Sequence, residues 1–291
     1  MTGKYIDIVK RRNRNKGLLR KSLTRANLKT ALSIIGVAVL VVQLVFPVGV
    51  GAVSPKPAGD LDQCANGTTA SPETCTGSAW QNGNLNQNQA HYVEGQSVPY
   101  RIRLSNMSTS GSHTLIIEYD TKRSGKHSLD YLTSYNRTEG DADPCSGGSP
   151  CTPGTSGVIP TPSNSGSSVS GMPANSFNAI STAQRQISIF NGNVTGVTYS
   201  LQDSLNTSDS SSRVSITFTA SNSNVVIAWG GHIASRLDWG VGNSAGSING
   251  SSYHMRFIDV DGSGGNQDRS LSAEAVVFGN LTVIKHVIND D

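Results

Sequence analysis

The sequence predicts an all-β protein, a β-sandwich of about eight strands set behind an N-terminal signal or anchor helix. Three observations carry this prediction. Beyond residue 52 the apolar residues are mainly β-branched and fall in short alternating runs, the period of a strand with one buried face. Ser, Asn, Thr and Gly separate those runs, supplying the backbone freedom and local hydrogen bonds that turns need. Lys, Glu and Leu, which favour surface helices, are sparse in the same stretch.

The N-terminal segment is read first. Residues 1–29 hold ten Lys and Arg against the single acid Asp7, and an apolar run follows over 31–46, broken only by Ser33, Gly36 and Gln43. Pro47 ends a helix there, because it has no N–H and its ring clashes with the preceding turn. Val50, Gly51 and Ala52 place small residues where a signal peptidase cuts, so cleavage is expected after Ala52. The alternative is a retained signal anchor: residues 31–53 give 23 positions, and about 20 apolar residues span a bilayer. Either way the positive charge keeps the N-terminus cytoplasmic and the remainder is extracellular or at the cell surface. The membrane is touched only through this segment. The net charge of +3 becomes −6 once the leader's +9 is set aside. With no basic stripe interleaved with aromatics, nucleic acid is excluded as a partner.

Residues 53–62, which include Pro55 and Pro57, read as a linker to a domain over 63–279. Alternation marks strands at 98–104, 114–119, 186–190, 194–201, 214–218, 225–229, 253–260 and 273–278. Along the first of these, Val98, Tyr100, Ile102 and Leu104 share one face and Arg101 and Arg103 the other. A helix is expected only at 128–135, where Leu129, Leu132 and Tyr135 recur every three residues. Residues 140–175 are nearly all Gly, Ser, Pro, Thr and Asn without periodicity, which predicts a long surface insertion. Residues 280–291 begin a new apolar run, expected to be the first strand of a further domain.

All four cysteines, Cys64, Cys75, Cys145 and Cys151, lie past the leader. An even count in an exported chain predicts disulfides, with three possible connectivities. Proximity favours Cys64–Cys75 and Cys145–Cys151, bridges that pin local loops rather than staple the whole domain. A zinc site is disfavoured, since there is no CxxC and no His pair at ligand spacing.

Two clusters are candidate sites. Asp259, Asp261, Ser263 and Asp268 place oxygen ligands around a Gly-rich loop, the way short loops wrap calcium. Asn266 and Ser270 stand where an EF-hand needs an apolar residue and a Glu, so the cofactor expectation is none, or calcium in a looser loop. The competing reading is a tight Asp/Gly turn between strands. The second cluster is Trp229, His232, Arg236, Asp238 and Trp239, in which aromatics beside polar groups suit stacking on a sugar ring. Burial in the core competes with that. No catalytic constellation emerges. The exported part holds five isolated Glu, and there is no GxSxG; the protein is not expected to be an enzyme, and a secreted hydrolase is the last alternative.

The stretches around Cys64 and Cys75-Thr76-Gly77-Ser78-Ala79-Trp80, together with His91-Tyr92-Val93-Glu94-Gly95, Trp229-Gly230-Gly231-His232 and Tyr253-His254-Met255-Arg256, resemble uncharacterised secreted bacterial surface proteins. In that group this region precedes prealbumin-like domains of the Cna-B or SpaA kind. The resemblance implies that 280–291 is the first strand of such a domain, with Lys285 matching the lysine that forms an isopeptide bond in some of them. It also implies a structural or adhesive role, with surface glycans or other cell-surface proteins as partners. The alternative is a carbohydrate-binding module, with or without calcium.

Overall fold

A computed structural model describes residues 55–148 and 151–278. The export segment expected at 1–52, with Ala52, and the strand expected at 280–291 lie outside the described residues. Ten strands of five residues or more build the fold. They are β1 (Ala58–Cys64), β2 (Ser97–Ser105), β3 (His113–Arg123), β4 (Leu129–Thr133), β5 (Gln186–Phe190), β6 (Gly192–Gln202), β7 (Ser210–Ala220), β8 (Val225–Ile233), β9 (Tyr253–Val260) and β10 (Gln267–Leu271).

They form two antiparallel sheets in a sandwich-like arrangement. The first runs β5–β8–β2–β1, with β4 beside the second half of β8 and short strips Gly157–Val158 and Trp80–Gln81 at its two edges. The second runs β6–β7–β3–β9–β10. Leu61, Ile102 and Ile227 from the first sheet and Ile117, Ile216 and Phe257 from the second belong to one buried cluster. The all-β expectation therefore holds, and the eight alternating runs fall on strands, except that 273–278 is a short helical turn followed by the two-residue strand Val276–Val277.

The faces of the two sheets differ, and this explains what the sequence obscured. On β7 every second residue from Ser210 to Ala220 is buried and those between are half-buried, so the outer face of the second sheet is open. On the first sheet the chain after β4 covers the outer face: Arg101 on β2 is buried and donates to the carbonyls of Pro144 and Ser146. A strand covered on both faces loses its alternation. Residues 128–135 illustrate this. They are not a helix but contain β4, all five of whose residues are buried, and the three-residue recurrence of Leu and Tyr carries no helical meaning there.

Two further expectations change at the sandwich edges. The stretch read as a linker contains most of β1, which pairs along β2 with Leu61 opposite Ile102. Side chains of β10 complete that edge: Gln267 Oε1 accepts from Leu61 N at 2.9 Å, and Arg269 Nε donates to Leu61 O at 2.6 Å. The insertion expected at 140–175 packs in part against the other edge, at β5 and the start of β6, rather than looping freely into solvent. Gly154 N donates to Ile189 O on β5, Val194 N on β6 donates to Thr155 O, and Ile159 is buried. Its glycines permit this approach, since a Cβ on Gly154 would lie 1.6 Å from Gly192 O. A short helix, α1 (Ala174–Ala179), ends the insertion and buries Phe177.

The cysteines pair as proximity suggested, Cys64 with Cys75 and Cys145 with Cys151. Two disulfides indicate an oxidising, extracellular setting. Among the described residues no helix is long and apolar enough to cross a membrane.

Candidate functional site

The aromatic cluster does not form a stacking platform. Trp229 lies on β8 with its side chain in the core, 0% exposed and stacked on Tyr100 at 6.3 Å. Trp239 ends the one-turn helix α2 (Arg236–Trp239) and is 2% exposed. Both rings face inward because the sandwich needs large side chains to fill it, so neither offers a face to a sugar. Arg236 is occupied too. Its guanidinium lies 3.5 Å from the Phe278 ring centroid, and Nε is 3.4 Å from Glu94.

What the fold assembles instead is a buried polar centre around Asp130, a β4 residue the sequence reading passed over. His232 on β8 meets Asp130 Oδ1 at 2.6 Å through Nδ1, and Trp239 Nε1 donates to Oδ2 at 3.1 Å. The His232 ring stacks on Tyr131 at 4.2 Å, and His127 stacks on Trp239 at 3.4 Å. Tyr131 shares a hydrogen bond with Ser176, whose hydroxyl donates to Asp238. Asp238 also receives Ser235 Oγ and so fixes the start of α2. Burial, reinforced by Lys122 and opposed by Asp130, pushes the His127 pKa down to about 4. With these groups buried, the centre is a clasp between β4, β8 and α2.

The four candidate calcium ligands also diverge. Asp261 binds His113 Nδ1 at 2.6 Å and Thr114 N at 2.8 Å; Asp259 accepts from Gly262 N; Ser263 donates to Pro57 O. Asp268 faces Arg256 at 3.6 Å. Asp261, Gly262, Gly264, Gly265 and Asn266 all have positive φ, the conformation of tight turns. Among the described residues no group of three or more His, Cys, Asp or Glu is placed to hold a metal ion. The segment is the β9–β10 turn, with Asp261 tying it to β3.

The open face of the second sheet carries a charge ladder across β7, β3 and β9. Arg213 binds Glu118 at 2.6 Å, and Arg256 reaches Glu118 at 3.3 Å and Asp120 at 2.7 Å. His254 Nδ1 meets Asp120 at 2.9 Å. Burial raises the Asp120 pKa, but hydrogen bonds from His254 and Arg256 outweigh it and hold the carboxyl below its usual value.

A cavity of about 240 Å³ lies on the outer face of the first sheet, under the loop that carries Cys145. Arg103, Val226 and Asp60 line it from the strands, with Asn191 and Asn224 at one side. The two β2 arginines differ sharply here. Arg101 Nε binds buried Asp62 at 2.9 Å, and burial lowers its pKa against the opposing pull of Asp62. Among the described residues the Arg103 guanidinium has only ion pairs, at 3.4 Å to Asp62 and 3.9 Å to Asp60, and its buried Nε has no hydrogen-bond partner. The alternation of 98–104 placed both arginines outward; which of them is satisfied depends on the covering loop.

Comparison of the chain with family models, curated proteins and solved structures returns no match.

Proposed function

We propose that this chain is an extracellular, non-catalytic β module with a structural or adhesive role at a bacterial cell surface, of the kind that precedes prealbumin-like domains. The observation that supports this best is the engagement of its reactive side chains. His113, His232 and His254 each hold one Asp at 2.6 to 2.9 Å, and all four cysteines are in disulfides. Groups that elsewhere act as bases or nucleophiles here join one strand to another or a strand to a turn, as expected when polar residues specify a fold.

The test is twofold. Antibody labelling of intact producing cells should place the domain outside, and the purified exported chain should turn over no glycoside, ester or peptide in a broad hydrolase panel. Turnover that disappears in Asp130→Asn, with folding intact, would overturn the non-catalytic reading.

A further inference from the structure

We propose that the cleft bordered by Pro144, Cys145 and Gly148 binds the carboxylate of an acidic saccharide, with Arg103 as the group that holds the anion. The proposal deepens the adhesive reading and rests on it, because it supplies the module with a ligand.

The argument starts from charge. Asp62 is buried and already receives Arg101 Nε at 2.9 Å, while Arg101 Nη1 donates to the Pro144 and Ser146 carbonyls. Arg103 is left with a longer share of Asp62 and with Asp60, whose side chain is 58% exposed. Among the described residues its guanidinium makes no hydrogen bond, although it offers a planar fork of donors that matches a carboxylate in two-pronged fashion. That fork lines a half-open cleft with its side chain 39% exposed, so an anion bound there is only partly withdrawn from water, and charge-assisted bonds are stronger to that extent.

The other walls narrow the ligand class. Asp60 is an acceptor beside the Arg103 donor, which suits a molecule presenting both an anion and hydroxyl groups. The same carboxylate repels the second charge of a phosphate dianion. Asn224 adds an exposed amide, and half-buried Val226 on β8 offers an apolar floor for the C–H face of a sugar ring. At about 240 Å³ the cleft falls below the roughly 300–1,000 Å³ of drug-sized sites, which suits a single sugar residue.

The probe is D-glucuronate, titrated to about 20 mM into the ¹⁵N-labelled exported chain, a range that captures millimolar affinity. D-Glucose and inorganic phosphate form parallel arms. Saturable shifts at the amides of Ser105, Gly148 and Val226 with glucuronate are expected, with glucose and phosphate each at least tenfold weaker. Arg103→Gln should weaken glucuronate at least tenfold, and Arg103→Lys, which keeps the charge but not the fork, should fall between. The proposal is overturned if glucuronate shifts nothing, if glucose or phosphate binds as well, or if both variants bind like the parent chain. Recovery of the glucuronate distinguishes the two readings. Unchanged ligand without binding removes the site and leaves the non-catalytic module; converted ligand removes the latter.

Discussion

Acidification from neutral pH to about pH 4 should destabilise this domain through one side chain in particular, His127. The residue is 4% exposed with its ring packed on Trp239, and its buried Nδ1 has no hydrogen-bond partner among the described residues. Burial first, and Lys122 second, lower its pKa from 6.5 to about 4, with Asp130 pulling the other way. In the unfolded chain the imidazole gains its proton near pH 6.5, whereas in the folded domain it stays neutral until about pH 4. Between those values the unfolded state binds more protons, so stability falls as pH falls, and below pH 4 this group contributes no further slope. A gap of this size corresponds to at most about 3 kcal/mol, since one pKa unit is worth about 1.36 kcal/mol. Urea unfolding at about pH 7, 5.5 and 4, with disulfides intact, measures it against His127→Phe, which keeps an aromatic ring on Trp239 but cannot protonate. His113, His232 and His254 are common to both proteins and cancel in the difference. The parent should lose stability relative to the variant as pH falls. Parallel curves would refute the account of His127 as a buried neutral imidazole.

Trp239→Ala should cost about 3–5 kcal/mol in urea unfolding, the usual range for deleting a large buried aromatic, and it also removes a hydrogen bond from Asp130. Asp62→Ala should cost a similar amount, about 3–5 kcal/mol, because it leaves Arg101 charged and buried without its partner. The Cys64→Ser, Cys75→Ser double variant should lose about 3 kcal/mol by the loop-closure relation for roughly a dozen residues, read from the same denaturation midpoint. Millimolar calcium should leave the melting temperature unchanged, because a ligand stabilises only by binding the folded state and the loop carboxylates are already committed. A rise of several degrees would reinstate the loop as a metal site.

The strands of the open sheet were legible because water enforces their pattern. On β7 and β9 one face meets solvent and the other the core, so apolar and polar residues alternate and the register can be read directly. The disulfide pairing was legible from spacing. The strands missed were those whose environment departs from that rule. β4 is covered on both faces, β1 lies in a Pro-containing stretch, and Gln267-Asp268-Arg269 on β10 bonds through side chains rather than apolar packing. The same loss of signal affected the sites. Trp229, His232 and Trp239 were noticed, but the residue that organises two of them, Asp130, is about 100 residues away in the chain, and no local pattern reports such a pairing.

The sequence alone therefore determined the all-β class, most strand positions, the local disulfides and the acidic character of the chain beyond residue 52, because each follows from composition or short-range periodicity. Tertiary structure decided which polar residues face one another. It turned a calcium-like loop into a turn clasped by His113 and a sugar-binding aromatic pair into core, and it left the guanidinium of one of two neighbouring arginines without a hydrogen bond among the described residues. The reason is physical: local periodicity sets which face of a strand a side chain occupies, while burial and long-range pairing decide whether its hydrogen-bonding capacity is used up within the fold or left for a ligand.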